Sequence, residues 1–320
     1  MKHLTILVPD GENNLSSIVG AFKIFSRANE YRKPVFQVEL ASISKTVDFH
    51  GGLFTARPHK QISEIKRTDL VIIPSLNHNY HQSTAVNGEL IDWIGKQYRE
   101  GSAVASICTG AFLLAAAGLL EGRSCSTHWS AADDLKKLHP KVNLQTDQLI
   151  TDEHGIYTNG GAYSFLNLIL YLVEKYYDRE TAIYCAKVFQ IELDRHSQSD
   201  FMIFHGQKTH GDEMVKKAQN YIEHRLDEKL VTEDLAASFA IGRRNFDRRF
   251  IKATGNTPTE YAQRVKIEAA KKAFETSRKS INEVMYEVGY ADQKAFREVF
   301  RKITGLSPLE YRNRYNKDAA

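Results

Sequence analysis

The sequence of 320 residues predicts two domains of different fold class, an α/β domain followed by an all-α domain. Three observations carry this prediction. Up to about residue 190, short β-branched and apolar runs alternate with longer helical patterns, which is typical of a mostly parallel sheet covered by helices. A polar stretch follows, and beyond it nearly every segment has helical spacing. Near the C-terminus, one short pattern occurs twice at an interval of 50 residues.

The α/β domain is predicted element by element from its apolar runs. Short, uniformly apolar runs indicate buried strands, and longer stretches with apolar positions at helical spacing indicate helices. The predicted strands are Leu4–Val8, Phe36–Ser42, Leu70–Pro74, Ala103–Cys108 and Gly155–Thr158. The predicted helices are Ser16–Asn29, Leu90–Gly101, Gly110–Ala117, Ala131–His139 and Ala162–Tyr177. A sheet with helices on both faces requires this alternation.

The boundary between the domains is predicted from a change in composition after Gln190. We expect a sensor and dimerisation domain at 1–192, a linker at 193–211, a DNA-binding domain at 212–315 and a tail at 316–320. The linker is rich in Asp, His, Ser and Gly, whereas the segment after it begins with apolar residues spaced by three and four.

The positive charge of the chain lies in its C-terminal third. Residues 212–320 hold 22 Lys and Arg against 17 Asp and Glu, a surplus of 5, whereas the remainder holds 21 against 22. A basic domain is expected where phosphate groups are bound, and this surplus supports that function without establishing it.

Cysteine, histidine and apolar patterns exclude several classes of protein. Three cysteines without a CxxC spacing predict reduced thiols, and the histidines show no metal-ligand spacing, so we expect no metal and no cofactor. The N-terminal apolar run is too short for a signal peptide, and the longest apolar stretch, Ala111–Leu120, is shorter than a bilayer span. We therefore expect a soluble cytoplasmic protein without a membrane partner.

The repeated pattern predicts two copies of one helix-turn-helix unit. Phe-x-x-x-Phe-x-Lys-x-Thr-Gly-x-x-Pro-x-Glu-Tyr occurs at 246–261 and at 296–311. Between 231–261 and 281–311, nine of 31 positions are identical, against about 2 expected by chance. The two phenylalanines of each copy lie four residues apart and share a buried face, which leaves the polar residues outward and suited to the major groove of DNA. The candidate base-reading residues are Arg243, Arg244, Asp247, Arg248, Gln293, Lys294 and Arg297, and the candidate phosphate contacts are Lys252, Arg301 and Lys302.

This segment resembles the AraC-type DNA-binding domain, in which a long helix joins two helix-turn-helix units. The matching motifs are Phe246-x-Arg248-x-Phe250, Thr254-Gly255-x-x-Pro258-x-x-Tyr261, Ile281-x-x-Val284, Val288-Gly289-Tyr290, Phe296-x-x-x-Phe300-Arg301-Lys302 and Gly305-x-Ser307-Pro308-x-x-Tyr311-Arg312. The resemblance implies two recognition helices in successive major grooves, roughly 10 bp apart. Two positions depart from the family, Glu298 where a basic or neutral residue is common and Gly242 where Ser usually caps the helix.

A second pattern predicts a nucleophile-like cysteine at the end of a strand. The apolar run before Cys108 leads through Gly110 into a helix, which is the sharp turn that exposes a nucleophile above a sheet. Helix-terminal N–H groups at such a turn are expected to lower the pKa of the thiol. His128, twenty residues later, is a candidate base.

The segment from Cys108 to Arg123, with the following Thr127-His128-Trp129, resembles the ThiJ/PfpI (class I glutamine amidotransferase-like) superfamily. Within that superfamily it is most similar to the GlxA-like regulators, in which such a domain is fused to an AraC-type helix-turn-helix domain. The resemblance implies a flavodoxin-like fold for the N-terminal domain.

The N-terminal domain departs from the enzymes of that superfamily, which place an acid from the first helix beside the cysteine. Here Ser17 and Lys23 stand where Asp and Glu are common in the regulators. Three interpretations of Cys108 and His128 stay open. They belong to a ligand pocket together with Ser17 and Thr109, they are a structural remnant, or they form a Cys-His hydrolase.

Together these patterns indicate a transcription regulator and not an enzyme. We expect it to bind double-stranded DNA through the helical domain, to bind a small-molecule effector near Cys108, and to act as a homodimer. The alternative is a Cys-dependent amidase or hydrolase with an appended DNA-binding domain.

Overall fold

The computed structural model describes residues 1–77, 79–193, 195, 197–228 and 230–316. It divides into two compact units, residues 1–198 and 199–320. Positions 194 and 196 of the predicted linker and 317–320 of the predicted tail lie outside the described residues. Within the described part of the chain, no helix has the length and apolarity needed to cross a bilayer.

The first unit is built on a seven-stranded sheet. The strands are β1 Lys2–Leu7, β2 Phe36–Ser42, β3 Val47–Phe49, β4 Phe54–Ala56, β5 Lys60–Gln61, β6 Leu70–Ile73, β7 Ala103–Ser106, β8 Ser124–Cys125, β9 Asn143–Leu144, β10 Ile150–Glu153 and β11 Ile156–Asn159. The main sheet has the order β10-β11-β7-β6-β1-β2-β5. All neighbours in it are parallel except β10 and β11, which run antiparallel.

Helices cover both faces of this sheet, as the sequence predicts. They are α1 Leu15–Tyr31, α2 Tyr80–Val86, α3 Gly88–Arg99, α4 Ala111–Ala116, α5 Ala132–Leu138, α6 Phe165–Tyr176 and α7 Arg179–Phe189. Along β6, Leu70 and Ile72 join the core with α1, α6 and α7, whereas Val71 and Ile73 join the core with α2 to α5. This alternation follows from the two-residue period of a strand and explains why the buried strands are apolar throughout.

All five predicted strands lie in the main sheet, and the five predicted helices are present with ends shifted by a few residues. The sequence analysis missed α2, α7, β10 and the strands of two or three residues. Strands of two or three residues, such as β5 and β8, are too short for a periodic pattern, and their pairing depends on neighbours that are distant in sequence.

The second unit is helical throughout. Its helices are α8 Glu213–Glu223, α9 Thr232–Ser238, α10 Arg243–Thr254, α11 Pro258–Thr276, α12 Ile281–Glu287, α13 Gln293–Thr304 and α14 Pro308–Tyr315. They form two small cores. The first core lies between α8, α9, α10 and the beginning of α11, and the second lies between the rest of α11 and α12, α13 and α14. The long helix α11 therefore belongs to both helix-turn-helix units.

The repeated pattern encodes the corner that joins each second helix to the next one. Gly255 and Gly305 end α10 and α13 with φ of 72° and 77°, the left-handed conformation that glycine adopts at little cost. Two residues later, capping boxes begin α11 and α14. In the first of these, Thr257 Oγ1 accepts from the backbone N–H of Glu260 while the Glu260 carboxylate accepts from the backbone N–H of Thr257. The helix α9 has no such cap, because it starts at Thr232 and its N-cap residue, Val231, makes no side-chain hydrogen bond.

Candidate functional site

The predicted recognition helices are α10 and α13, and their phenylalanines lie on the buried face as expected. Phe246, Phe250 and Phe300 are fully buried and Phe296 is 1% exposed. The nine residues predicted to face DNA are all exposed apart from Asp247, which is half-buried, and they are Arg243, Arg244, Asp247, Arg248, Gln293, Lys294, Arg297, Arg301 and Lys302. The inward faces thus hold the helices in place and the outward faces carry the charge.

On α10, the outward residues differ in what already holds them. Arg243 pairs with Glu233 of α9 and, at 3.5 Å, with Asp247, and these two carboxylates raise the pKa of its guanidinium. Arg248 donates to Asn245 Oδ1 over 3.0 Å. Arg244 has no such partner among the described residues, so its guanidinium is available to a ligand. The sequence assigns these arginines the same role, whereas the structure shows that they differ in their hydrogen-bond partners.

The start of α13 is capped, whereas the start of α10 is not. Asp292 Oδ1 accepts from the backbone N–H of Ala295 over 2.7 Å. At the corresponding place, Gly242 offers no side-chain bond, which agrees with its departure from the family pattern. Gln293 Nε2 donates to Asn282 Oδ1 over 2.7 Å, which orients the amide at the start of α13.

The second candidate site surrounds Cys108 at the end of β7. Cys108 opens a 3-10 turn, Cys108–Gly110, that leads into α4, and its φ of 82° is unusual for a residue with a side chain. A Cβ at Gly110 would lie 2.6 Å from the carbonyl oxygen of Pro74, so only glycine fits there. The sharp strand-to-helix turn predicted from the sequence is therefore present.

Three hydrogen-bond donors meet at the Cys108 sulfur, namely the side chain of Ser75 and the backbone N–H groups of Thr109 and His128. The thiol itself is buried, at 2% exposure. Burial raises the pKa of the Cys108 thiol, and the three donors lower it without outweighing burial. The expectation of a lowered thiol pKa is therefore wrong. The donors are present, but desolvation destabilises the thiolate by more than their hydrogen bonds stabilise it.

Ser75 connects the residues that the sequence analysis singled out. Ser17 Oγ accepts from the backbone N–H of Ser75 over 3.2 Å and donates to the carbonyl of Asn14 over 2.7 Å. Thr109 Oγ1 lies 2.9 Å from Ser75 Oγ and donates to the carbonyl of Leu76. Sequence reasoning missed Ser75, although its place just after a buried strand could have indicated it.

His128 contacts the sulfur through its main chain. The imidazole Nδ1 lies 2.8 Å from Ser130 Oγ and accepts from the backbone N–H of Ser130 over 3.2 Å. That ring nitrogen therefore caps the turn Trp129–Ala131. No carboxylate is among the described groups that shift the pKa of the Cys108 thiol. Glu12, the acid that precedes α1 in the sequence, accepts from the backbone N–H of His50.

Acidic, histidine and cysteine side chains are the usual protein ligands of metal ions. Within the part of the chain that the structure describes, no three of them are grouped so that they could hold a metal ion. Cys108, Cys125 and Cys185 are all buried free thiols.

Comparison with known proteins gives two family matches. The DJ-1/PfpI family matches residues 6–175, and a helix-turn-helix domain family matches residues 235–314. HTH-type transcriptional regulator GbdR of Pseudomonas aeruginosa is 25% identical over 230 residues, which are 71% of this chain and 62% of that protein. The chain therefore spans less than two thirds of the length of that relative.

Two further similarities concern other species. HTH-type transcriptional regulator GlxA of Rhizobium meliloti is 25% identical over 244 residues, which cover 71% of this chain and 73% of that protein. A crystal structure from Vibrio parahaemolyticus, of a candidate transcriptional regulator, superposes with a TM-score of 0.53 at 25% identity, covering 58% of this chain and 98% of that one.

Proposed function

Because the chain belongs to the DJ-1/PfpI family and carries a helix-turn-helix domain after the matched segment, we propose that it is a transcription regulator of the AraC type. It binds specific sites in double-stranded DNA through its second unit. A small metabolite held in the first unit modulates that binding. The protein acts in the cytoplasm as a homodimer and does not catalyse a reaction.

One observation carries the proposal. The helices α10 and α13 are the second helices of the two helix-turn-helix units, and each has one face exposed. Each presents basic side chains from its first two turns while its phenylalanines fill a core. Arg244, Lys294 and Arg297 have no ion-pair or hydrogen-bond partner among the described residues. Arginine and lysine in this position can reach guanine O6 and N7 in the major groove.

The effector site is proposed at the carboxyl ends of β6 and β7, where ligands of open α/β sheets commonly bind. The donors around Cys108 and the hydroxyl groups of Ser17 and Thr109 suit a small polar metabolite. Thr127 Oγ1 donates to the Cys108 carbonyl over 2.6 Å, and Gln198 Nε2 donates to the Thr127 carbonyl over 3.0 Å. A ligand that moves the Cys108 turn therefore acts on the last residue of the first unit.

Binding of the purified chain to DNA tests the proposal. The DNA upstream of its own and neighbouring genes is titrated in a gel shift at several salt concentrations, with and without a pool of amino-acid-like and amine metabolites. We expect a saturable shift that shuffled DNA of equal length does not give, that weakens steeply with salt, and that the metabolite pool alters. A folded chain that shifts both DNAs equally would contradict the proposal.

A Cys-dependent hydrolase is the second candidate, and the strained turn with three donors at Cys108 favours it. Burial raises the pKa of all three thiols, to about 12 for Cys125 and about 11 for Cys185. We therefore expect iodoacetamide to alkylate none of the three rapidly in the folded chain at pH 7. Rapid alkylation confined to Cys108, read by peptide mass spectrometry, would favour the hydrolase instead.

The proposed dimer is supported by large apolar side chains at the surface of the first unit. Val19 of α1 is 48% exposed, and Leu53 and Phe54 of the β3–β4 hairpin are 74% and 49% exposed. Light scattering at micromolar concentration is expected to give twice the chain mass of 36.4 kDa. A monomer mass at that concentration would remove dimerisation from the proposal.

A further inference from the structure

The stretch predicted as a linker ends in a segment that is firmly held by the second unit. Residues 199–210, here called the arm, begin with the 3-10 turn Ser199–Phe201, in which Ser199 and Asp200 are each only 8% exposed. The polar composition of the arm predicts a solvated linker. In the structure, however, hydrogen bonds connect the arm to the helices of the second unit.

The first attachment joins the arm to α14 of the second helix-turn-helix unit. The Asp200 carboxylate pairs with Arg314, and Tyr315 Oη donates to the Asp200 carbonyl over 3.3 Å. The ring of Phe201 meets that of Tyr315 edge to face, with centroids 6.5 Å apart.

The second attachment is a buried lysine of the joining helix α11. Lys271, whose side chain is 4% exposed, donates to the Met202 carbonyl and pairs with Glu268 over 2.8 Å. Glu268 in turn accepts from the backbone N–H of Phe204 over 3.1 Å. A buried ammonium is costly unless every donor has a partner, so the arm main chain is part of what keeps Lys271 in place.

The third attachment lies in the core of the first helix-turn-helix unit. Phe204 packs edge to face on Tyr261, with centroids 5.3 Å apart. A Cβ at Gly206, where φ is 70°, would lie 2.5 Å from Tyr261 Oη, so the arm passes directly over that hydroxyl. Farther along, Gln219 Nε2 donates to the Gln207 carbonyl over 2.9 Å.

The arm therefore contacts α14, then α11, then the first core, and it spans both helix-turn-helix units beside α11. We propose that the arm is a positioning element that sets the distance between the recognition helices α10 and α13. Lys271 is its central positioning residue. This positioning role adds to the proposed DNA-binding function. It rests on that function only in the test that measures DNA binding, and not in the test that measures the distance between the helices.

The distance between the two helices tests the arm without DNA. Arg244→Cys and Arg297→Cys carry nitroxide labels in the full chain, whose own cysteines are buried, and electron–electron double resonance gives the distance distribution. Lys271→Met removes the ammonium and keeps the stem. We expect it to widen the distribution about twofold, because releasing the arm leaves α11 alone to join the units. Lys272→Met, an exposed neighbour with the same charge change, should leave the width unchanged.

A milder variant covers the case in which Lys271→Met unfolds the second unit. Asp200→Asn weakens only the pair with Arg314, whose side chain is half-exposed, and should widen the distribution by a smaller factor. Lys271→Arg, which keeps the donor, should lie nearer the unsubstituted chain. Distributions of equal width for the unsubstituted chain, Asp200→Asn and folded Lys271→Met would overturn the proposal.

DNA spacing gives a second readout with unlabelled protein. A site selected from a random DNA pool is rebuilt with 1 or 2 bp added or removed between its two contacted segments. Lys271→Met should lose about 5-fold in affinity at the native spacing and discriminate less among spacings, since two linked contacts gain most when their separation is held. Unaltered spacing preference in a folded Lys271→Met would count against the arm. If the unsubstituted chain selected no site, the proposed DNA-binding function would be contradicted. The distance distributions would still test whether the arm positions the two helices.

Discussion

Arginines on one helix face are not equivalent once their partners are known. Arg243 is held by Glu233 and Asp247, and Arg248 by Asn245, whereas Arg244 has no such partner among the described residues. A guanidinium already engaged must exchange a partner before it can read a base, so its net contribution to DNA affinity is smaller.

Loss of a base contact at this scale is measurable. We expect Arg244→Ala and Arg297→Ala each to weaken binding to the selected site by about 1–3 kcal/mol and to relax base preference at one position. Binding to random DNA should change much less. Titrations on selected and random DNA, read by fluorescence anisotropy, give both numbers.

The matched control for those variants is Arg67→Ala, which removes an exposed arginine from the first unit. It should leave the affinity for the selected site within about 0.5 kcal/mol of the unsubstituted chain. Equal losses on selected and random DNA for Arg244→Ala would instead identify that residue as a phosphate contact.

At the scale of elements, the two helix-turn-helix units differ in how they make their turn. The first turn uses Ala240 in the left-handed region, with φ of 55°, and the second uses Gly289, with φ of 71°. A Cβ at Gly289 would lie 2.5 Å from the carbonyl oxygen of Leu226, which is backbone and cannot turn away. The second turn is therefore restricted both by conformation and by space.

These turns predict opposite responses to exchange of glycine and alanine. Ala240→Gly should raise the free energy of unfolding of the second unit by about 0.5 kcal/mol, because relief of the left-handed strain exceeds the added chain entropy. Gly289→Ala should lower it by about 2 kcal/mol or more, since a steric clash adds to the strain. Calorimetry of the full chain measures both.

Gly255 supplies the control for that comparison. It has a φ of 72°, but a Cβ there would meet nothing within 4 Å. Gly255→Ala should therefore cost only the conformational strain, about 1 kcal/mol. If Gly289→Ala cost no more than Gly255→Ala, close approach to the Leu226 carbonyl would play no part.

At the scale of the whole molecule, each of the two units has its own hydrophobic cores and its own charged hydrogen-bond networks. In the first unit, Glu39 accepts from His3 Nε2 over 2.8 Å, from Lys60 Nζ over 2.9 Å and, at its other oxygen, from Gln37 Nε2. Burial raises the pKa of Glu39, but the hydrogen bonds from Lys60, His3 and Gln37 outweigh it and lower that pKa to about 2.

The lowered pKa predicts a pH dependence confined to the first unit. Because the folded carboxyl has a lower pKa than the unfolded one, its stabilisation is complete above about pH 4.5 and is lost as the pH falls toward 2. Glu39→Gln should lower the free energy of unfolding by about 1–3 kcal/mol at pH 7 and by progressively less below pH 4.5. Both tryptophans, Trp93 and Trp129, lie in the first unit, so denaturant unfolding followed by their fluorescence reports that unit alone.

The outcome at acid pH decides the origin of that stabilisation. A difference between Glu39→Gln and the unsubstituted chain that stayed constant from pH 7 to pH 3 would mean that the packing of the side chain matters and its charge does not. Unfolding of the second unit, followed by calorimetry, should not respond to this substitution.

Much of this molecule is determined by the sequence alone, because it depends on residues that are close together in the chain. Apolar runs of strand length identify the five main strands, and phenylalanines four residues apart identify the buried faces of α10 and α13. The glycine that ends each of these helices, and the capping box that follows, are also local, so the repeat could be read without a structure.

Only the tertiary structure decided the features that depend on distant contacts and on burial. Ser75 and Thr109 meet at Cys108 because parallel strands bring their carboxyl ends to one edge, and Ser17 of α1 binds the backbone of Ser75 there. The thiol pKa rises because the fold excludes water from it. The arm has the composition of a solvated linker, yet Lys271 and Arg314, more than 60 residues later, hold it. A sequence pattern predicts neither the raised thiol pKa nor the attachment of the arm, because desolvation and long-range hydrogen bonds exist only after folding.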